Sequence, residues 1–309
     1  MRIEQLVCFQ KVVQCKSFTK AANELYTTQP SVSKIIDSME KELGRQLFLR
    51  TSRGVELTDF GQRVYNDARV ILRIIDSWQE ADPNGLPHQE VHIQSSSTMC
   101  NFLSADFLAR CQKRHPDIDI MLHECRRAEV VREMLSKGIN IGVVPLRMEN
   151  AADTAAILKD IKKNHWNSCA LLRDPKTIFV GAELPLARKE TVTVDDLASL
   201  PLSTYSAASD ENWALYSKYF KAGGGYRRHS KESILRFVAE GKCATIFPRI
   251  TSQYESMVSG GLVVPIDVQG LDMGSVVFQL VHPVGNALLE AERVITNELK
   301  SYFKELTAQ

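Results

Sequence analysis

The sequence predicts an α/β protein in three parts. A small helical unit with a hairpin comes first, then a long connecting helix, then a larger part built as two α/β lobes. Three observations carry this. Apolar residues recur at helical spacing through residues 1–43 and again through 59–78. Pro83, Asn84, Gly85 and Pro87 punctuate residues 79–90. From Val91 onward, short apolar runs alternate with helical periods, which indicates layered sheet and helix with mostly parallel strands.

In the first part, residues 1–58, Leu6, Val7, Phe9, Val12 and Val13 mark one helix. Ser17 caps a second, Phe18 to Leu25, built on Ala21 and Ala22. Tyr26-Thr27-Thr28 interrupts the pattern. A third helix runs from Gln29 to Leu43, with Pro30 in its first turn, where a missing N–H costs nothing, and Gly44 at its end. Leu47-Phe48-Leu49 and Val55-Glu56-Leu57 flank a polar, glycine-containing turn and read as a hairpin.

Thr58 or Asp59 caps the connecting helix, residues 59–78. Its apolar residues Val64, Ala68, Ile71, Ile75 and Trp78 are spaced 4, 3, 4 and 3 apart. Such a seam buries itself against a second helix, as in a dimer, or packs onto the N-terminal unit. Residues 79–90 form the hinge. In residues 91–309, strands are expected at VHIQS, IDIMLHE, INIGVVP, SCALLR, TIFVGA, PLSTY, CATIFP and VVFQLVH. Helices are expected at Thr98–Arg114, Ala128–Lys137, Asp210–Lys221, Lys231–Glu240 and Leu288–Leu306.

Composition excludes several classes. With 309 residues, 44% hydrophobic and 24% charged, the chain can bury sizeable cores. No run approaches a membrane span, and the N-terminus lacks a signal-peptide core, so a cytoplasmic location is expected. Seven scattered cysteines without a CxxC point to neither a disulfide framework nor a zinc site. GxxxxGK, GxSxG, HExxH and GxGxxG are all absent, which lowers the case for an enzyme. Asp195-Asp196 opens a helix and reads as a cap, and Gly223-Gly224-Gly225 reads as a turn.

A helix, a tight turn and a second helix with an apolar inner face is the geometry that lays one helix in the major groove. Val32, Ile36, Met39 and Leu43 face inward, leaving Ser31, Ser33, Lys34 and Asp37 outside. Hydroxyls and one cation near a helix N-terminus suit phosphates and base edges, and Gln29 suits adenine. For Thr28 and Ser31, capping competes equally with DNA contact. The net charge of +1 conceals an asymmetry. Residues 1–58 carry nine basic and six acidic residues, net +3; residues 59–90 carry net −3, and the remainder +1. A modestly basic head is therefore followed by an acidic linker.

Residues 5–61 resemble the signature of LysR-type transcriptional regulators. The matching segments are SFTKAANEL, TQPSVSK, Met39-Glu40, ELG at 42–44, LFLR at 47–50 and RGVELTDFG at 53–61. FLARCQKRHPDIDIMLHE, LSKGINIGVV and FVAEGKCATIFP continue the likeness. It implies a winged helix-turn-helix, a dimerising linker helix, and a two-lobed effector domain like that of periplasmic solute-binding proteins. It also implies promoter DNA as partner, a homodimer or homotetramer, contact with RNA polymerase, and a small-molecule co-inducer in place of any cofactor or metal. Gln29, Pro30, Ser33 and Lys34 would meet the major groove, and Arg50 and Arg53 would lie on the wing. Two residues depart from the pattern. Ile35 stands where a polar residue is usual, and either touches a thymine methyl or packs more tightly. Asn140 replaces the usual aspartate and reads as a local difference at a strand start.

The effector site is expected between the lobes, near strand ends and helix N-termini. Ser96, Ser97 and Thr98 open a helix and offer donors to an anion. Ser203, Thr204, Tyr205 and Ser206 form the facing edge, and Arg127 and Arg147 supply charge. A small organic acid is the favoured effector. The competing readings are an enzyme or solute-binding protein with a DNA-binding head, and a single-thiol redox sensor. No cysteine lies between Cys169 and Cys243, so a paired-cysteine switch in that loop is missing.

Overall fold

The computed structural model describes residues 1–51, 54–79, 89–205, 213, 215–222, 225–228, 230–284 and 288–308; at 50–51 and 76–79 it describes the backbone only. The N-terminal unit holds α1 (Ile3–Cys15), α2 (Phe18–Glu24), α3 (Gln29–Leu43), β1 (Phe48–Thr51) and β2 (Gly54–Leu57). The connecting helix is α4 (Asp59–Gln79). The caps follow the chemistry of the residues. Ser17 Oγ accepts from Lys20 N at 3.3 Å, and Thr58 Oγ1 accepts from Gly61 N at 2.8 Å. Gly44 ends α3 in the left-handed region at φ 68°. Phe9, Val12, Val32, Ile36, Met39 and Leu47 fill the core, and Phe9 packs edge-on against Phe48 and Tyr65. Glu40 accepts from Leu47 N at 2.7 Å and Phe48 N at 3.2 Å, and so ties the hairpin to α3.

The C-terminal part contains β3 (Gln89–Ser96), α5 (Ser97–Ala105), α6 (Phe107–Arg114), β4 (Ile118–Cys125), α7 (Val130–Lys137), β5 (Ile141–Arg147) and α8 (Ala151–Lys163). There follow β6 (Trp166–Gly181), α9 (Val194–Leu197), β7 (Leu202–Tyr205), β8 (Gly225–Arg228), α10 (Lys231–Ala239) and β9 (Ala244–Pro248). The chain ends with α11 (Thr251–Tyr254), α12 (Ser256–Ser259), β10 (Val263–Ile266), β11 (Ser275–Pro283) and α13 (Glu290–Ala308). The strands run in the order β4-β3-β5-β11-β6-β9-β7-β8, with β10 beside β6.

Each lobe holds parallel pairs, β3 with β4 and β5 in one and β7 with β8 and β9 in the other. Pairing is antiparallel at β11 with β5 and β6, and at β6 with β9 and β10. This corrects the expectation of mostly parallel sheets. SCALLR and TIFVGA are one strand, β6, running through Pro175. Its first half pairs with β11 and its second half with β9 and β10, so residues 174–176 are the junction of the lobes. The helix expected at 98–114 is two helices broken at Asp106. Of the helix expected at 210–221, positions 213 and 215–221 are described; 213, 215 and 216 are helical and Ser217–Tyr219 forms a short 3₁₀ turn, so the helical stretch is shorter than expected. Of the glycine run, Gly225 starts β8, where a Cβ would meet the Trp213 ring at 1.7 Å.

Asp174 lies buried at this junction and accepts from Ile250 N at 2.9 Å. Burial outweighs that bond and lifts its pKa to about 6. The folded form therefore holds the proton more tightly than the unfolded chain, whose carboxyl titrates near about 3.9. The resulting stabilisation is fully present below about pH 4 and is lost as pH rises through 6. Asp174→Asn is expected to raise Tm at neutral pH and to flatten the decline between those values. Scanning calorimetry across pH checks both; an unchanged pH profile would contradict the assignment.

Candidate functional site

The N-terminus of α3 is one candidate surface. Thr28 is extended, and its Oγ1 accepts from Ser31 N at 3.4 Å and pairs with Ser31 Oγ at 2.9 Å. Both hydroxyls thus serve the cap, while the remaining lone pairs and protons stay at the surface. Gln29, Pro30 and Lys34 are exposed and Ser33 is half-buried. Ile35 is turned about 100° from Lys34 round the helix and packs against the N-terminal core. Ile35 is half-buried, so the packing reading holds for part of its side chain and the remainder stays at the surface. Arg50 is placed on β1 by its backbone pairing with Val55. Its side chain, and all of Arg53, lie outside the described residues.

Helix α4 presents three faces. Val64, Tyr65, Ala68 and Leu72 pack onto the N-terminal core. Asn66, Arg69 and Arg73 turn toward the C-terminal part. Ile71 and Ile74 are exposed at 39% and 37%. The expected seam is therefore divided. Ala68 is 1% exposed within its own chain, which corrects its assignment to a dimer contact. Val64 and Ala68 reach the N-terminal core, while Ile71, two turns beyond Val64, stays exposed. Ile75 is half-buried, and the Trp78 side chain is outside the described residues.

The second candidate is a cleft of about 1190 Å³ between the lobes. Ser96, Ser97 and Thr98 at the start of α5 line one wall together with Glu124, Cys125, Arg127 and Arg147. Tyr205, Ser230, Lys231 and Phe247 line the other, and Lys176 lies at the junction. Ser203 and Thr204 are not in the wall. Ser203 shares the face of Tyr205 but lies one strand repeat deeper, fully buried between β8 and β9. Ser206 lies outside the described residues.

Most cations in the cleft already have partners. Arg127 pairs with Asp153 at 2.6 Å, and Lys231 with Glu255 at 2.8 Å. Lys176 pairs with Glu149 and donates to Tyr216 Oη at 3.0 Å; burial nonetheless lowers its pKa. The Arg147 side chain makes no ion pair or hydrogen bond among the described residues, while its carbonyl accepts from Thr154 Oγ1 at 2.7 Å. Burial and the neighbouring Arg127 lower its pKa, against the opposing pull of Glu149 and Asp153. Lys176 and Lys231 escaped the sequence reading, because each acquires its place from a remote carboxylate and no local motif announces it. Lys176 and Glu149 are 27 residues apart.

Six of the seven thiols are held away from the reactive thiolate form. Burial pushes Cys8, Cys100, Cys111, Cys125 and Cys243 up, as do burial and Glu24 at Cys15. Among the described residues no three His, Cys, Asp or Glu side chains gather as a metal site. No described helix is long and apolar enough to cross a membrane.

Residues 3–62 match the bacterial regulatory helix-turn-helix protein of the lysR family, and residues 84–304 match the LysR substrate binding domain. The RuBisCO operon transcriptional regulator of Allochromatium vinosum is 25% identical over 278 residues, 87% of this chain and 85% of that one. An uncharacterised HTH-type regulator of Bacillus subtilis, YvbU, is 28% identical over 205 residues, and the match spans 65% of each chain. For that relative and for the CysB regulator of Haemophilus influenzae, the match spans 65% and 66% of the relative's length, just under two thirds. In structure, full-length LysG of Corynebacterium glutamicum with bound effector Arg superposes at a TM-score of 0.60, with 16% identity and 99% of each chain covered. With the second of the two matched segments covering well over half of its length, this chain belongs to the LysR family.

Proposed function

We propose that this protein is a DNA-binding transcriptional regulator, acting in the cytoplasm as a homodimer or homotetramer and controlled by a small organic anion. The polar N-terminus of α3, with Gln29, Pro30, Ser33 and Lys34, reads promoter DNA in the major groove, and the hairpin carrying Arg50 and Arg53 flanks it. The effector enters the cleft between Ser96-Ser97-Thr98 and Tyr205. The observation that carries the ligand class is Arg147, a half-buried cation on the cleft wall whose side chain makes no ion pair among the described residues, beside three cations that already have carboxylate partners. A carboxylate of the ligand supplies the missing partner as a bidentate pair. Binding shifts the relative placement of the lobes and subunits, and so the DNA contact. The protein catalyses nothing in this reading, and RNA polymerase is a further partner.

The test has two stages. Selection from a random duplex library by the full-length protein should enrich one two-fold-symmetric motif. Calorimetry with a panel of metabolite carboxylates should then find a binder whose affinity falls at least tenfold in Arg147→Gln. The same variant should keep its duplex affinity. An enriched motif with no carboxylate bound would overturn the anion reading; no enriched motif would overturn the regulator reading.

A further inference from the structure

Tyr26 carries an inference about recognition that the residues of α3 do not. It is 99% exposed, the most exposed of the large hydrophobic side chains described. Its backbone is left-handed, at φ 53°. It occupies the residue just past the C-cap of α2. There Tyr26 N donates to Asn23 O at 3.2 Å and Thr27 N to Ala22 O at 2.9 Å. Those two bonds define a helix end whose left-handed position ordinarily takes glycine or asparagine. A bulky aromatic there is strained. Burial usually compensates such strain, yet the Tyr26 side chain is almost fully exposed and makes no ring contact or hydrogen bond among the described residues. A strained, unpacked aromatic two residues before the N-cap of the candidate recognition helix is what an outside partner would stabilise.

We propose that Tyr26 is a DNA-contacting residue whose phenol hydroxyl donates to a backbone phosphate. This rests on the reading of α3 as the helix that enters the major groove. When such a helix enters by its N-terminus, the residues just before it lie over the groove wall, and that wall is phosphate. Tyr26 therefore adds affinity and fixes the register of α3, and carries no base preference of its own.

The experiment measures binding of the full-length protein to the duplex that the parent protein selects, across salt concentrations. Tyr26→Phe and Tyr26→Asn should each weaken binding about tenfold, the worth of a hydrogen bond to a charged group. The dependence on salt should stay that of the parent, because a neutral donor displaces no counterion, whereas Lys34→Ala should reduce the salt slope. Asparagine tolerates the left-handed backbone, so Tyr26→Asn should melt no lower than the parent. Parent-like binding by either variant, or weakening only with a lowered Tm, overturns the proposal while the regulator reading stands. Selection of no duplex by the parent overturns both.

Discussion

Gly61→Ala should abolish operator binding and cost the N-terminal unit about 3 kcal/mol, the upper end of ordinary overpacking. Gly61 lies in the first turn of α4, where the helix crosses the start of the hairpin. A Cβ there would stand 2.1 Å from Leu47 O and 2.9 Å from its carbonyl carbon, and 3.0 Å from Leu57 Cδ2. A flexible side chain can swing aside, but this carbonyl cannot. Leu47 O already accepts from Thr58 N at 2.9 Å, and Thr58 Oγ1 donates to Gln46 O at 2.8 Å. Making room breaks those bonds, moves the hairpin away from Glu40, and loosens the platform on which α3 sits. Because the damage is local, the C-terminal cleft should keep its ligand affinity. Thermal unfolding and duplex binding of the full-length variant check both halves. Parent-like melting would show that the junction yields more easily than its contacts indicate.

Legibility followed the range of the interactions. Helices α1 to α4 were readable because their signals are local: Ser17, Thr28 and Thr58 as caps, Gly44 as a stop, and apolar residues at helical spacing. The hairpin was readable for the same reason. Helix α8 was not called, because its inward face rests on Ile157 and Ile161 among alanines, a weak periodic signal. The four-residue strands β8 and β10 were missed because each exists through a remote partner, β7 and β6. At Pro175 the reading broke β6 in two, since proline ordinarily interrupts a ladder; here it stands where the strand changes partners. In the cleft, the start of α5 and the two arginines were named from the family resemblance together with hydroxyls at a helix start. Ser203 was misplaced because four consecutive polar residues do not reveal which end of a short strand reaches the opening.

Asn140 shows the limit most clearly, and it leads to the other large effect. Read alone, it is a small change at a strand start. In the structure its Oδ1 accepts from Arg69 on α4 at 3.1 Å, 71 residues away. Its Nδ2 donates to Glu292 Oε2 on α13 at 3.3 Å, 152 residues away. Glu292 also receives both terminal nitrogens of Arg73 and accepts from Leu289 N at 2.9 Å. Asn66 Nδ2 adds a bond to Asn164 O at 3.3 Å. Arg69 and Glu292 are each 3% exposed, so this network holds two charges out of water. It binds a helix that is rooted in the N-terminal core, through Tyr65, Ala68 and Leu72, to the first lobe.

Removing one member of a buried ionic group leaves its partners uncompensated, and costs about 3 kcal/mol at the lower end of such cases. Glu292→Ala should therefore detach α4 from the lobe while both cores persist. The expected signature is calorimetric: cooperative melting in the parent separates into two transitions, one for each core. Glu292→Gln keeps an acceptor for Leu289 N and Arg73, and should show the smaller effect. A double-mutant cycle of Arg69→Ala with Glu292→Ala isolates the coupling from the loss of helix capping at Leu289. Additive effects of the two substitutions, with melting still in one step, would show that the network does not join the parts. A positive coupling would show that Arg69 and Glu292 together hold the helix beneath the DNA-binding unit to the cleft-bearing lobe. A ligand that moved this lobe would then reach α3 through Arg69 and α4, whatever the chemistry of the effector.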